Sequence, residues 1–301
     1  MKPVAWLLLL ALGACAIPVH WQDDVGVALR AARADRRELV VYFALSGREA
    51  SDRMQKSLTD PVVAAALADG NFFATIADGV VRQNLYSTWI GGGEGMGIAV
   101  LDAQGRCYAA RPGPQDPPEL AAFLRLCVRS REALSALRDR GQPLAAPMDQ
   151  YALGCLFLDL GCRLESEPLL VEAATAGVVD ARHRLARLYA LDGNVTAARR
   201  WLTHAPKTPA ALVTEGYVLF KERQHKDAIV AFERALQSGQ LGGDRQRALL
   251  YLGKALHEDK QDARAVPLLQ ALAKEGTGST FEAGALHTLS HLKDAQHTHS
   301  H

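Results

Sequence analysis

The chain has 301 residues, of which 49% are hydrophobic, so it is long enough for two domains with buried cores. It carries 34 lysines and arginines against 33 aspartates and glutamates, a formal net charge of +1. A balance this close to neutral excludes the broad positive field with which proteins bind nucleic acids or anionic membrane surfaces.

The first fifteen residues have the features of a cleaved export signal. Lys2 supplies a positive charge, and Val4–Leu12 is an apolar run too short to span a bilayer. The run closes on Leu12-Gly13-Ala14-Cys15, which resembles the lipobox of bacterial lipoproteins. The resemblance implies fatty acylation of Cys15 and a lipid anchor in the bacterial cell envelope. Ala16 after the cysteine implies the outer membrane, with the protein facing the periplasm. A plain secretory signal is the alternative.

Residues 16–22 are expected to be a tether, and residues 23–130 alternate between strand and helix patterns. Val40–Phe43 is β-branched or aromatic throughout, which is typical of a strand covered on both faces. Ser46-Gly47 ends this run, and apolar side chains at helical spacing follow it. The predicted helices are Asp23–Ala34, Arg48–Leu58, Val62–Ala68, Val81–Ile90 and Gln115–Leu126, and the predicted strands are Leu39–Ala44, Phe72–Ala77, Ile98–Asp102 and Arg106–Ala110.

The order of these elements, with the turn Asp60-Pro61-Val62, resembles the thioredoxin-like family over Trp21–Arg129. That family begins the helix after its central strand with a Cys-x-x-Cys pair, and the two positions fall here on Arg48 and Ser51. The cis-proline that faces the pair falls on Met96. A cis bond before a residue other than proline costs about 2.5–4 kcal/mol. The resemblance therefore implies a thioredoxin-like domain that is redox-inactive.

No Cys-x-x-Cys occurs among the five cysteines, which argues against a redox motif or a zinc knuckle. Cys107 and Cys127 stand in apolar surroundings and are expected to be buried free thiols. Cys155 and Cys162 can pair only if the helix that carries them ends at Gly161, because on one unbroken helix they lie about 10 Å apart. A thiol-disulfide oxidoreductase or redox-linked chaperone, with Cys107 as its reactive thiol, is the alternative function.

Residues 131–147 are assigned to a linker, which begins within a polar helix over Arg129–Arg140 and is marked by Gly141, Pro143 and Pro147. Residues 148–294 then repeat a pattern. A small residue is followed sixteen positions later by a large apolar one, in the pairs Gly154 and Leu170, Ala186 and Leu202, Gly216 and Phe232, and Gly253 and Leu269.

This pattern resembles tetratricopeptide or Sel1-like repeats, in which small residues let paired helices cross closely. Phe281–Lys293 would be the closing helix. The expected fold class is therefore α/β plus all-α, a thioredoxin-like domain followed by a tetratricopeptide-like helical solenoid.

The resemblance to such solenoids implies a non-enzymatic protein that binds a protein or peptide partner on a concave face lined by the first helix of each repeat. No cofactor and no nucleic acid are expected. Ordinary solvated side chains are the alternative interpretation of any one candidate. The candidate partner-binding residues on predicted first helices are Arg184, Arg187, Tyr217, Lys221, Tyr251 and Lys254.

The C-terminal tail, residues 295–301, contains three alternating histidines, His297, His299 and His301. In an extended chain these side chains point the same way and can chelate a transition metal weakly. Without surrounding groups to orient them, adventitious binding is the expectation, so no metal site is predicted.

Overall fold

A computed structural model describes the backbone of residues 21–22, 24–91, 95–138 and 146–298, and the side chains of 24–91, 95–138 and 146–292. The predicted lipidation site Cys15 and the side chains of His297, His299 and His301 lie outside these ranges. None of the helices in the described ranges is long and apolar enough to cross a membrane.

Along the chain, a small mixed sheet comes first and a long helical region follows it. The sheet has five strands in the order β1-β3-β2-β4-β5. β2 is central because it pairs parallel with β3 and antiparallel with β4, as its uninterrupted apolar sequence predicts. The strands are β1 Trp21–Gln22, β2 Leu39–Ala44, β3 Phe73–Asp78, β4 Gly97–Leu101 and β5 Cys107–Pro112.

Five helices accompany the sheet, and local sequence signals set where they begin. Asp24 accepts a hydrogen bond from the backbone of Val27 at the start of the first helix. Asp60 caps the third in the same way, with Pro61 in its first turn. The helices are α1 Val25–Ala34, α2 Glu49–Leu58, α3 Pro61–Asp69, α4 Gln83–Trp89 and α5 Pro117–Arg138.

The polar helix expected over Arg129–Arg140 is not separate from the helix before it, because α5 is one continuous helix through Arg138. Its last turns pack on the sheet region. Arg131 pairs with Glu38 at 2.8 Å and Arg138 pairs with Asp102 at 2.7 Å, while Leu134 is buried. The sequence alone suggests that these arginines are solvated, but in the structure they pair with carboxylates that are distant in the chain.

The second half is helical throughout its described length. Consecutive helices pack in pairs, α6 with α7, α8 with α9, α10 with α11 and α12 with α13. The helices are α6 Pro147–Leu160, α7 Arg163–Thr175, α8 Ala181–Leu191, α9 Val195–Thr203, α10 Pro209–Lys221, α11 His225–Gln237, α12 Asp244–Glu258, α13 Asp262–Glu275 and α14 Thr280–Thr298.

The small residues stand where the paired helices cross, as the sequence predicts. A Cβ at Gly216 would lie 2.8 Å from the ring of Phe232, and a Cβ at Gly253 would lie 2.5 Å from Leu269. Seven positions after each small residue, the turn between the paired helices has a left-handed residue. These residues are Gly161, Gly193, Arg223 and Lys260, with φ of 84°, 77°, 61° and 63°.

The inner helices close into a ring. α5 packs against α6, α6 against α8, α8 against α10, α10 against α12 and α12 against α14, and α14 returns to α5. At this last contact His287 Nδ1 lies 3.0 Å from Asp116 Oδ2, just before α5 begins. The sheet and the helices also share one core, since Leu153, Phe157 and Leu160 of α6 are buried in the same cluster as β2 and β4.

Candidate functional site

Elements of the ring line an open cavity of about 420 Å³, a size within the range of small-ligand pockets. Its walls come from β5, α5, α6, α8, α12 and α14, so elements from both halves of the chain build it. The lining residues are Arg111, Leu126, Asp159, Arg184, Arg187, Leu241, Gly243, Asp244, Arg247, Leu250, Tyr251, Thr280 and Phe281.

Two aspartates tie three of the cavity's arginines together. Asp159, near the end of α6, accepts hydrogen bonds from Arg187 Nη1 and Arg247 Nη2, each at 3.0 Å. Asp244, the first residue of α12, accepts from Arg184 Nη1 at 3.2 Å and Nη2 at 3.0 Å. Arg247 also binds Asp244, so this guanidinium bridges the two carboxylates. The network joins α6, α8 and α12 across the ring.

Arg111 enters the cavity from the sheet, at the end of β5. Its Nη2 donates to the backbone carbonyl of Asp159 at 3.1 Å, and its guanidinium lies 4.7 Å from the ring centroid of Phe123. The C-cap of α6, Gly161, makes this approach possible: a Cβ there would lie 2.3 Å from Arg111 Nη1 and 2.1 Å from the carbonyl of Ala110. Together with its φ of 84°, this contact requires glycine at position 161.

The charges in the cavity are unequal, with four guanidiniums against two carboxylates among the lining residues. Burial lowers the pKa of Arg247 to about 10, and the nearby charge of Arg187 adds to that effect. Burial also lowers the pKa of Arg111. Burial raises the pKa of Asp159, but Arg187 and Arg247 outweigh it and hold that pKa below its usual value. The site is therefore positively charged and favours an anion.

The structure brings three of the six candidate partner-binding residues to this cavity, namely Arg184, Arg187 and Tyr251. It does not expose Tyr217, which is only 3% accessible and packs against Tyr251 with ring centroids 4.6 Å apart. Its predicted role as a surface contact is wrong, because it is part of the packing between α10 and α12.

Lys221 and Lys254 are not among the cavity's lining residues. Lys221 is exposed, and its Nζ lies 5.7 Å from the Tyr217 ring centroid. Lys254 is half-buried, with its Nζ 5.6 Å from the ring centroid of Tyr251. Both ammonium groups therefore lie within cation–π distance of a tyrosine of their own repeat.

Sequence reasoning missed Arg111, Asp159, Asp244 and Arg247. Arg111 belongs to a strand of the other half, and the two aspartates resemble ordinary helix-end and turn residues. The repeat pattern marks only residues that were already candidates: Arg184 and Tyr251 each stand two positions before a small residue, Ala186 and Gly253, and both line the cavity.

The three positions that the sequence resemblance aligns with redox groups, Arg48, Ser51 and Met96, have different surroundings in the structure. Arg48 is exposed at the N-cap of α2 and makes no side-chain capping bond there. Ser51 is buried, and its Oγ lies 3.0 Å from the hydroxyl of Tyr42 and accepts from the backbone N–H of Leu45 at 3.1 Å. Met96 is buried, and its carbonyl accepts from the Tyr86 hydroxyl at 3.3 Å.

Two cysteine side chains are in contact where the sheet joins the helical region. Cys107 Sγ on β5 lies 3.7 Å from Cys162 Sγ, the residue after Gly161. The helix does end at Gly161, as a Cys155–Cys162 pair would require, but Cys162 lies against Cys107 instead. The Cys107 thiol and burial raise the pKa of Cys162 well above its usual value.

Within the described ranges, no group of three or more histidine, cysteine, aspartate or glutamate side chains is placed to hold a metal ion. No protein-family model matches the sequence, and no curated protein shows detectable similarity to it.

Proposed function

We propose that this protein is a non-enzymatic binding protein, with a redox-inactive thioredoxin-like domain and tetratricopeptide-like repeats that receive a protein or peptide partner. The order β-α-β-α-β-β-α from β2 to α5, with α2 and α3 counted together, supports the first assignment. The close crossings at Gly154, Gly216 and Gly253, each against the large residue sixteen positions later, support the second.

The observation that carries this proposal is the cavity inside the ring of helices. Binding sites are concave, mostly preformed and supplied with a few convergent polar groups. The cavity combines the network around Asp159 and Asp244 with the apolar side chains of Leu250 and Phe281. Its volume of about 420 Å³ suits a terminus or side chain of a partner rather than a long segment.

The absence of catalysis is supported by the chemistry of the former redox positions. A thiolate at a helix N-terminus is stabilised by the helix dipole, whereas the charge of Arg48 opposes that dipole. Ser51 Oγ is engaged with Tyr42 and Leu45, and these contacts with described residues include no histidine that could act as a base.

The alternative, a thiol-disulfide oxidoreductase, is favoured by the contact between Cys107 and Cys162. Against it, both residues are buried, at 7% and 1% exposure, and the raised pKa of Cys162 disfavours the thiolate that would attack a substrate. Insulin reduction above the buffer rate that disappears in Cys107→Ser would establish this alternative in place of the binding role.

The proposed location is the bacterial envelope, with the chain lipid-anchored at Cys15 in the outer membrane and facing the periplasm. Its support is the lipobox-like Leu12-Gly13-Ala14-Cys15. Cys15→Ser should release the protein from membranes or leave it unprocessed, and an unmodified Cys15 in the mature protein would contradict lipidation.

Photo-crosslinking tests the binding role in the full chain. p-Benzoylphenylalanine in place of Phe281, which lines the cavity, should capture a defined partner in cells. The matched control carries it in place of Val230, which is 52% exposed on α11. The same capture at both positions, or capture only at Val230, would contradict binding inside the ring, and thermal melting would verify that both variants fold.

A further inference from the structure

The cavity contains more positive charge than its own carboxylates neutralise. Among its lining residues, Arg111, Arg184, Arg187 and Arg247 face only Asp159 and Asp244, which leaves a formal surplus of two positive charges. A network whose only task was to hold the helices together would be better balanced, because each unpaired buried charge is costly.

The arginines also retain hydrogen-bonding capacity. A guanidinium has five N–H donors. The carboxylate contacts described above use two on Arg184, one on Arg187 and two on Arg247. Arg184 Nε is buried with no hydrogen-bond partner among the described residues. Arg111 binds only backbone carbonyls in the contacts described, so no carboxylate neutralises it directly.

We propose that the cavity binds a doubly charged oxyanion of the phosphate-monoester type; this inference rests on the proposed function and names the group that the site recognises. A dianion matches the surplus charge of two. A tetrahedral group offers three oxygens to guanidiniums that reach it from β5, α8 and α12, whereas a carboxylate offers two in one plane.

The rest of the cavity suits the organic part of such an ester. Phe281, Leu250 and Leu241 line it, with the ring of Tyr251 beside them. Apolar surface next to a fixed charged group orients a ligand and adds affinity through burial. The phosphate can belong to a small molecule or to a group on the partner, and the two sources share the same chemistry at the arginines.

Phenyl phosphate is the probe, and phenyl sulfate is its control. The two have the same shape, but at pH 7.5 the phosphate carries nearly two negative charges and the sulfate one. Isothermal calorimetry on the full chain should show phenyl phosphate binding at least tenfold more tightly. Equal affinities for the two ligands, or no binding of either, would overturn the proposal.

Two substitutions in the cavity, one that removes a positive charge and one that adds a negative charge, locate the site, and a third outside the cavity is the control. Arg187→Gln removes charge-assisted hydrogen bonds and should weaken phenyl phosphate binding about 10- to 100-fold. Arg264→Gln is the control, because Arg264 is paired with Glu233 away from the cavity and should leave the affinity unchanged. Thr280→Glu places a carboxylate in the lining, so it should raise the melting temperature of the free protein and abolish its response to phenyl phosphate.

If Arg187→Gln does not fold, Thr280→Glu still tests the proposal, because Thr280→Glu is expected to stabilise the folded protein. Retained binding in Thr280→Glu would overturn the proposal.

Competition separates the inference from the proposed function. A partner crosslinked at Phe281 but not displaced by phenyl phosphate would refute the inference alone. Phosphate-selective binding without any crosslinked partner would refute only the protein-binding role and assign the site to a small molecule.

Discussion

His183, on α8 beside Arg184, is 2% exposed, and neither ring nitrogen has a hydrogen-bond partner among the described residues. Burial, and then the charge of Arg184, lower its pKa from 6.5 to about 4. The unfolded chain therefore binds a proton that the folded chain does not accept between these values. Protonation of His183 therefore has no effect on stability above pH 6.5, where neither state binds the proton. As the pH falls from 6.5 towards 4, protonation of the unfolded chain lowers the free energy of unfolding.

We expect the free energy of unfolding to drop by about 3 kcal/mol over this interval because of His183. His183→Leu should remove that part of the pH dependence and stabilise the protein at pH 5. Urea denaturation from pH 4 to pH 7.5 measures it, with the exposed His204→Leu as control. If His183→Leu and the parent chain lose stability equally on acidification, the histidine is protonated in the folded state.

Cys107 and Cys162 are expected to form a disulfide under a mild oxidant such as diamide. Each thiol loses a proton and an electron to the diamide, and the sulfur atoms move from 3.7 Å apart to about 2.05 Å. The rate should increase with pH, because the raised pKa of Cys162 limits the thiolate. The bond would fasten β5 to the beginning of α7.

Non-reducing peptide mapping detects this product as a peptide of Cys107 joined to a peptide of Cys162. The substitution Cys107→Ser should eliminate it and leave Cys127 and Cys155 as free thiols. A disulfide between Cys155 and Cys162 as the main product would show that the contact seen at the junction does not govern oxidation.

At the scale of elements, the crossing of α10 and α11 depends on Gly216. A Cβ there would lie 2.8 Å from Phe232, whose side chain is fully buried and cannot easily withdraw. We expect Gly216→Ala to destabilise the protein by about 1–3 kcal/mol. Pairing it with Phe232→Leu should recover part of the loss, since the two residues are in contact.

Gly243→Ala is the matched control for this substitution. A Cβ at Gly243 would meet nothing within 4 Å, and its φ of −64° suits any residue, so a change within about 0.5 kcal/mol is expected. Urea denaturation of both variants measures the difference. Equal stability of Gly216→Ala and Gly243→Ala would mean that the helices separate at little cost.

These crossings show which elements can be predicted from sequence. The distance of sixteen residues from Gly216 to Phe232, or from Gly253 to Leu269, is local, and the repeats preserve it, so the pattern alone reveals the paired helices. The central strand is similarly evident from its apolar run. The continuity of α5 could not be predicted in this way, because Arg131 and Arg138 pair with carboxylates that are far away in the sequence.

At the scale of the whole molecule, the ring and its cavity depend on contacts that no local pattern encodes. Arg184 and Arg187 could be placed on an inner face from their helix, but their partners Asp244 and Asp159 lie 60 and 28 residues away. Arg111 reaches the same cavity from the sheet. Composition predicts no such site, since the chain as a whole is nearly neutral while this cavity is not.

The shared core predicts that the helical region is less stable by itself than in the full chain. In a fragment over residues 147–294, Leu153, Phe157 and Leu160 of α6 lose the sheet side of their core, and α14 loses α5. Exposure of each such side chain costs about 1.5–3 kcal/mol. We expect the fragment to melt at a lower temperature than the full chain, and to bind a hydrophobic dye.

The full chain with Asp116→Ala is the control for the loss of α5. That substitution removes only the exposed contact with His287, which is worth about 0–1 kcal/mol, so it should melt nearly like the parent. The fragment also lacks Arg111, and we expect it to discriminate poorly between phenyl phosphate and phenyl sulfate. A fragment that melts as high and as cooperatively as the full chain would show that the helical region is an independent domain, and that the sheet merely rests on it.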